Sequence, residues 1–101
     1  MSVASAQQIG GGTIRLSIEW VNWSGQDTDP DSGSSSLTII DSHGDILTTI
    51  KESGLTHDDP GKWHYDYVTP VVAADDVFLA QWQANVSGEP DRPRYYFTVE
   101  A

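Results

Sequence analysis

The stretch Thr13-Ile14-Arg15-Leu16-Ser17-Ile18-Glu19-Trp20, TIRLSIEW, alternates apolar and polar side chains without a break. Ile14, Leu16, Ile18 and Trp20 occupy every second position, and Arg15, Ser17 and Glu19 stand between them. A period of two puts the apolar set on one face of an extended chain, which is the pattern of a strand with one side in a core and the other in water. Its isoleucines and tryptophan also suit a pleated, half-buried surface better than a helix.

The same period recurs downstream. SSLTIID carries Leu37 and Ile39 on one face, and DILTTI carries Ile46, Thr48 and Ile50 on one face. Between them lies Ser42-His43-Gly44-Asp45, where Gly44 can take the positive φ of a tight turn, so the two runs predict a hairpin. DDPGKWHYDYVTP opens on a Pro-Gly turn and places Trp63, Tyr65 and Tyr67 opposite His64, Asp66 and Val68. VFLAQWQANV sets Phe78, Ala80, Trp82 and Ala84 against Val77, Leu79, Gln81 and Gln83. SGEPDRPR reads as a loop rich in turn formers, and YYFTVEA closes the chain with Tyr95, Phe97 and Val99 on one face. KESGLTHDD fits either a short irregular strand or a turn. No segment shows a helical period, and short strands punctuated by turns predict an all-β fold, an antiparallel sandwich or barrel.

Residues 1 to 12, MSVASAQQIGGG, are small and polar and end in three glycines, a composition expected to form a flexible N-terminal arm before a folded domain over 13 to 101. With 101 residues and 38% hydrophobic content the chain suits one domain with one modest core. It contains no Cys, so neither disulfides nor thiolate chemistry are available to it. Lys and Arg number 5 against 15 Asp and Glu, a formal charge of -10. Such a surface repels phosphates and anionic lipid, so neither a nucleic-acid nor a membrane partner is expected. It suits ordinary solubility, and also a high-salt environment. The start of the chain lacks the basic and apolar regions of a signal peptide and no apolar run is long enough to span a bilayer, so the expectation is a chain made and kept in the cytosol.

The order DPDSGSSSLTIIDSHGD, GKWHYDYVTP, VFLAQWQANVSG, YYFTVEA resembles the immunoglobulin-like β-sandwich modules of about a hundred residues that occur as small stand-alone proteins in the structural gene clusters of tailed viruses. A similar core pattern occurs in bacterial and archaeal surface proteins. The shared elements fall on Asp29-Pro30, Asp41 to Gly44, Gly61 to Tyr65, Trp82 to Ala84 and Phe97 to Val99, and the resemblance runs from Thr13 to the C-terminus. Asp75-Asp76 departs from it, standing where the family often has a Gly-containing turn. The resemblance implies an immunoglobulin-like antiparallel sandwich of about seven strands. It brings no catalytic motif, because every matched element is a packing or turn feature.

QDTDPDSG places Asp27, Asp29 and Asp31 at alternate positions, as calcium loops present their oxygens. Counted from Asp27 as an EF-hand loop, the sixth residue is Ser32 rather than Gly and the twelfth is Thr38 rather than Glu, so that motif fails. As a turn the stretch reads directly: Pro30 fixes its own φ, Asp31 and Ser32 bond to nearby amides, and Gly33 leads into the next strand. Asp27, Asp29 and Asp31 remain the candidates for a calcium site of another kind.

His64 and Asp66 share a strand face, but two ligands are too few for zinc, and a solvated face is the simpler reading. Ser24, Ser53 and Ser87 lie beside Gly without a Gly-x-Ser-x-Gly elbow or an evident His base. Trp20, Trp63 and Trp82 belong to apolar stripes and are expected in the core, whereas Trp23, between Asn22 and Ser24, is expected at the surface.

These readings converge on a non-enzymatic virion structural protein, decorating the capsid or sitting in the neck or tail, and reaching the virion from the host cytoplasm. It would act by docking on other virion proteins such as the major capsid or tail proteins, and a homo-oligomer is compatible. Trp23, Val77 and Leu79 are the interface candidates, Val77 and Leu79 because they face away from the apolar stripe of their strand. The alternatives are a carbohydrate-binding or adhesion module of an extracellular protein and a calcium-stabilised β-sandwich module.

Overall fold

The structure, a computed structural model, describes residues 2–101. Nine strands follow in chain order: β1 (Val3–Gly10), β2 (Thr13–Glu19), β3 (Ser36–Ile40), β4 (Ile46–Lys51), β5 (Thr56–Asp59), β6 (Lys62–Val68), β7 (Asp76–Val86), β8 (Glu89–Asp91) and β9 (Arg94–Val99). One 3₁₀ turn, Glu52–Gly54, separates β4 from β5. All pairings are antiparallel. The first sheet runs β1-β2-β6-β5 and the second β4-β3-β7-β8, with β9 continuing along the same side of β7 as β8.

The segment expected to be a flexible arm is instead a strand. Val3 to Gly10 form a strand that pairs with β2 from Val3↔Glu19 to Gly10↔Thr13. Ala4 and Ala6 sit opposite Ile18 and Leu16 and pack against the core. Alanine carries too little apolar area to mark a stripe in the sequence, yet beside a formed β2 the ladder hydrogen bonds and two methyl contacts hold the segment. Met1, also assigned to that arm, lies outside the described residues.

The count of about seven strands rises to nine for two further reasons. SGEPDRPR is not all loop. Ser87 (φ 52) and Gly88 (φ 80) make the two-residue, positive-φ connection of a tight hairpin, and β8 returns along β7. THDD is a strand rather than a turn and pairs with β6 as β5.

The two sheets share one core. Ile14, Leu16 and Ile18 of β2, with Trp20 just beyond it, meet Leu37 and Ile39 of β3, Phe78, Ala80, Trp82 and Ala84 of β7, and Phe97 and Val99 of β9. Every one of these was in an alternating stripe, which is why period two was a sufficient guide. Leu37 lies opposite Trp82 in the register and both are fully buried. Burying a side chain of that size stabilises the fold by about 1.5–3 kcal/mol.

Trp63, expected in the core, packs against it while staying partly exposed, and two further stripe residues depart more widely. Ile46 was grouped with Thr48 and Ile50, but β3 and β4 slip by one residue between Ile39↔Thr48 and Ile40↔Ile46. The extra residue, Leu47, forms a bulge that turns Ile46 to the outer side, where it is 66% exposed. Tyr95 keeps its inward alternation but lies where β9 passes the end of β1, and stays partly exposed.

Candidate functional site

QDTDPDSG is a structural junction. Gly61 sits at φ 76, and a Cβ there would meet the Trp20 carbonyl oxygen at 2.7 Å and the Thr28 nitrogen at 2.9 Å. Its N–H donates to Asp29 Oδ1 (2.7 Å), while its carbonyl accepts the Trp20 N–H (2.7 Å). Asp29 also contacts His57 Nε2 (2.9 Å), and His57 stacks on Trp63 with ring centroids 4.2 Å apart. The Gly61 amide, helped by His57, holds the Asp29 carboxyl below the usual carboxylate range.

The other two calcium candidates point elsewhere. Asp31 Oδ2 accepts the Gly88 N–H (3.1 Å), a partner 57 residues away rather than the nearby amide expected, and the Asp31 carbonyl takes the local Ser34 N–H. Asp27 lies 4.0 Å from Lys62, beside Glu19, whose carboxyl it pushes up. Gly33 donates its N–H, and Ser35 its hydroxyl, to Glu52, each at 2.7 Å. The loop is thus tied to three separate parts of the sandwich. No cluster of metal-ligating side chains forms among the described residues.

The outer face of the first sheet is a mosaic of charges. Arg15 makes a two-point bond to Asp66 (2.8 and 3.1 Å), lowering that carboxyl. His64 Nδ1 lies 2.6 Å from Asp58. His64 and Asp66 therefore share a face but answer to different partners.

The outer face of the second sheet is different in kind. Register puts Ser36, Thr38 and Ile40 of β3, Val77, Leu79, Gln81 and Gln83 of β7, Arg94, Tyr96 and Thr98 of β9, and Ile46, Thr49 and Lys51 of β4 on one surface. No carboxylate stands among these strand positions, in a chain with 15 Asp and Glu, and two of its 5 basic residues do. Ile46, Ile40, Leu79 and Tyr96 are successive cross-strand neighbours, forming an apolar row across four strands. Val77 lies two residues along β7 from Leu79. An open cleft of about 390 Å³ lies against this row, lined by Ile40, Asp41, Ser42, Val77, Leu79 and Tyr96. Val77 is 48% and Tyr96 64% exposed.

The structure thus joins two of the three interface candidates and separates the third. Trp23, 90% exposed, stands in the β2–β3 connection beside Val86, Glu89, Pro90 and Asp91, at the opposite end of β7 from Val77. Its loop is shaped by Asn22, whose Oδ1 accepts the N–H groups of Ser24 and Gln26. Ile40, Ile46 and Tyr96 were not among the candidates. Alternation already placed Ile40 and Tyr96 opposite the buried stripes, whereas Ile46 needed the bulge.

No protein-family model, curated protein or solved structure matches this chain. No helix among the described residues is long and apolar enough to cross a membrane.

Proposed function

We propose that this chain is a non-enzymatic docking module with an immunoglobulin-like sandwich, serving as a virion structural protein on the capsid or in the neck or tail. The observation that carries the docking reading is the outer face of the second sheet, whose strand positions hold no carboxylate and carry the Ile46, Ile40, Leu79, Tyr96 row. An acidic chain that keeps acid off the strand positions of one face and sets an apolar row across them has a surface suited to desolvation by a partner. Arg94 and Lys51 lie to one side of the row, in the next and next-but-one rows of the same surface, so the matching patch on a capsid or tail protein would have an apolar centre with carboxylates along one side. The strand order supports the immunoglobulin-like reading. Lettered A to G in chain order, with β4 as C′ and β8 and β9 together as G, the sheets read ABED and C′CFG. The virion assignment rests on the sequence resemblance.

The test is mass spectrometry of purified particles from the source culture, counting this chain against the major capsid protein. A high ratio means capsid decoration, and a low reproducible one means neck or tail. A Leu79→Asp, Tyr96→Asp variant should fold yet be lost from the particles. Absence of the wild-type chain from particles overturns the virion reading, and unchanged incorporation of the variant overturns the docking face.

One observation favours a second reading. The exposed indole of Trp23 stands over an open cleft of about 180 Å³ with Glu89 and Asp91 in its lining, an aromatic platform beside hydrogen-bonding groups of the sort that holds a sugar ring. Binding on a glycan array that disappears in Trp23→Ala would establish a carbohydrate-binding module instead.

A further inference from the structure

Each sheet exposes two edges, and three of the four are guarded against pairing with another chain. β5 is four residues long and carries His57, Asp58 and Asp59. β4 has the bulge at Leu47 and ends in Lys51. The edge formed by β8 and β9 is interrupted by Arg92-Pro93 and includes Pro90 and Arg94. Short length, charge, proline and bulges are the devices that keep sheet edges from associating.

β1 has none of them over most of its length. Its eight residues, VASAQQIG, include no charge and no proline, and its only irregularity lies at the far end, between Gln8 and Gly10. It pairs with β2 alone among the described residues, leaving every second backbone N–H and C=O of a regular run from Val3 to Gln8 turned away from the sheet. Alongside it, between β1 and β9, opens a cleft of about 260 Å³ lined by Ala6, Gln7, Gln8, Tyr95 and Phe97 among others.

We propose that β1 is a self-pairing strand, joining two copies of this chain about a two-fold axis into one continuous eight-stranded sheet. Three observations select a second copy as occupant. Two chains of charge -10 repel wherever carboxylates meet, and β1 is a long backbone edge that carries none. An antiparallel pair of identical strands is self-complementary and closes as a dimer without growing into a fibre. The side chains fit as well. With the axis normal to the sheet on Ser5 or on Ala6, the inward residues Ala4, Ala6 and Gln8 of both copies stay on the core side, and the outward Val3, Ser5 and Gln7 stay together on the other. The small residues Ala4, Ser5 and Ala6 at the centre let the backbones meet, and the second copy covers the flanking cleft.

The experiment is sedimentation velocity on the full chain from about 1 μM to about 1 mM, the range in which a modest interface of this kind would associate. Wild type should pass from monomer to dimer, more readily as salt screens the net charge. Ser5→Lys with Gln7→Lys places like charges opposite each other in either register, and should weaken the dimer about tenfold or more. Both positions are exposed, so the fold should stay intact. Leu79→Asp, on the other sheet, should leave the dimer unchanged, which separates this proposal from the docking face. Hydrogen exchange of wild type supplies a readout free of any variant, since β1 amides should gain protection as concentration rises. A wild type that stays monomeric throughout, β1 protection independent of concentration, or a dimer indifferent to the two lysines overturns the proposal.

Discussion

The backbone N–H of Gly61 donates to the carboxylate of Asp29 at 2.7 Å, bringing together residues 32 positions apart. The same glycine accepts from Trp20, so one residue at φ 76 ties the end of β2, the acidic loop and the turn into β6. Gly61→Ala should therefore cost more than an ordinary turn substitution. Positive φ in a non-glycine residue costs about 1–3 kcal/mol, and the added Cβ would also collide with the Trp20 carbonyl and the Thr28 nitrogen. Urea unfolding should show a larger drop in midpoint than for Gly44→Ala, which carries the same positive-φ strain but has nothing for the added Cβ to meet.

Asp29→Ala removes the acceptor for Gly61 and the partner of His57. Discounted for partial solvent exposure, the loss should be about 1–2 kcal/mol by chemical denaturation.

Acid should weaken the fold through Asp29 and Asp66. Both carboxyls are held below their ordinary values, Asp29 mainly by the Gly61 amide and Asp66 mainly by its bond to Arg15. The unfolded chain binds those protons more readily, so their stabilisation is complete above the ordinary value of about 4 and drains away as pH falls through the lowered native values. Melting temperature should fall on acidification through this window, and less steeply in Asp66→Asn.

Glu19 has the opposite sign. Its carboxyl is raised, first by its hydrogen bond with Asp27 and by that neighbour's charge, so its ionised form opposes folding and the opposition is relieved as pH falls through the raised value. Glu19→Gln should melt at or above the wild-type temperature at neutral pH, and the difference should close in acid.

Calcium should leave the melting temperature unchanged, because Asp27, Asp29 and Asp31 are engaged by Lys62, by Gly61 with His57, and by Gly88 respectively. A rise in calcium over EDTA that scales with concentration would restore the calcium-stabilised module as the better reading.

What the sequence determined by itself was the alternation of β2, β3, β6, β7 and β9, and with it the all-β class and nearly all of the core. A side chain's face follows from local backbone geometry, and Leu16, Leu37, Trp82 and Val99 carry enough apolar area to show it. Even the exposure of Trp23, and the outward turn of Val77 and Leu79, were legible on that basis. Tertiary structure alone decided the rest. β1 became a strand because β2 offered it a ladder, since its own alanines and glutamines express no preference that a reader of sequence could detect. Ile46 joined Ile40, Leu79 and Tyr96 because a single inserted residue at Leu47 shifted the register. Asp29, Gly61 and His57 met because the acidic loop crosses the β5–β6 hairpin there. Each of these depends on pairing or close approach between residues distant along the chain, and such contacts have no period in the sequence to announce them.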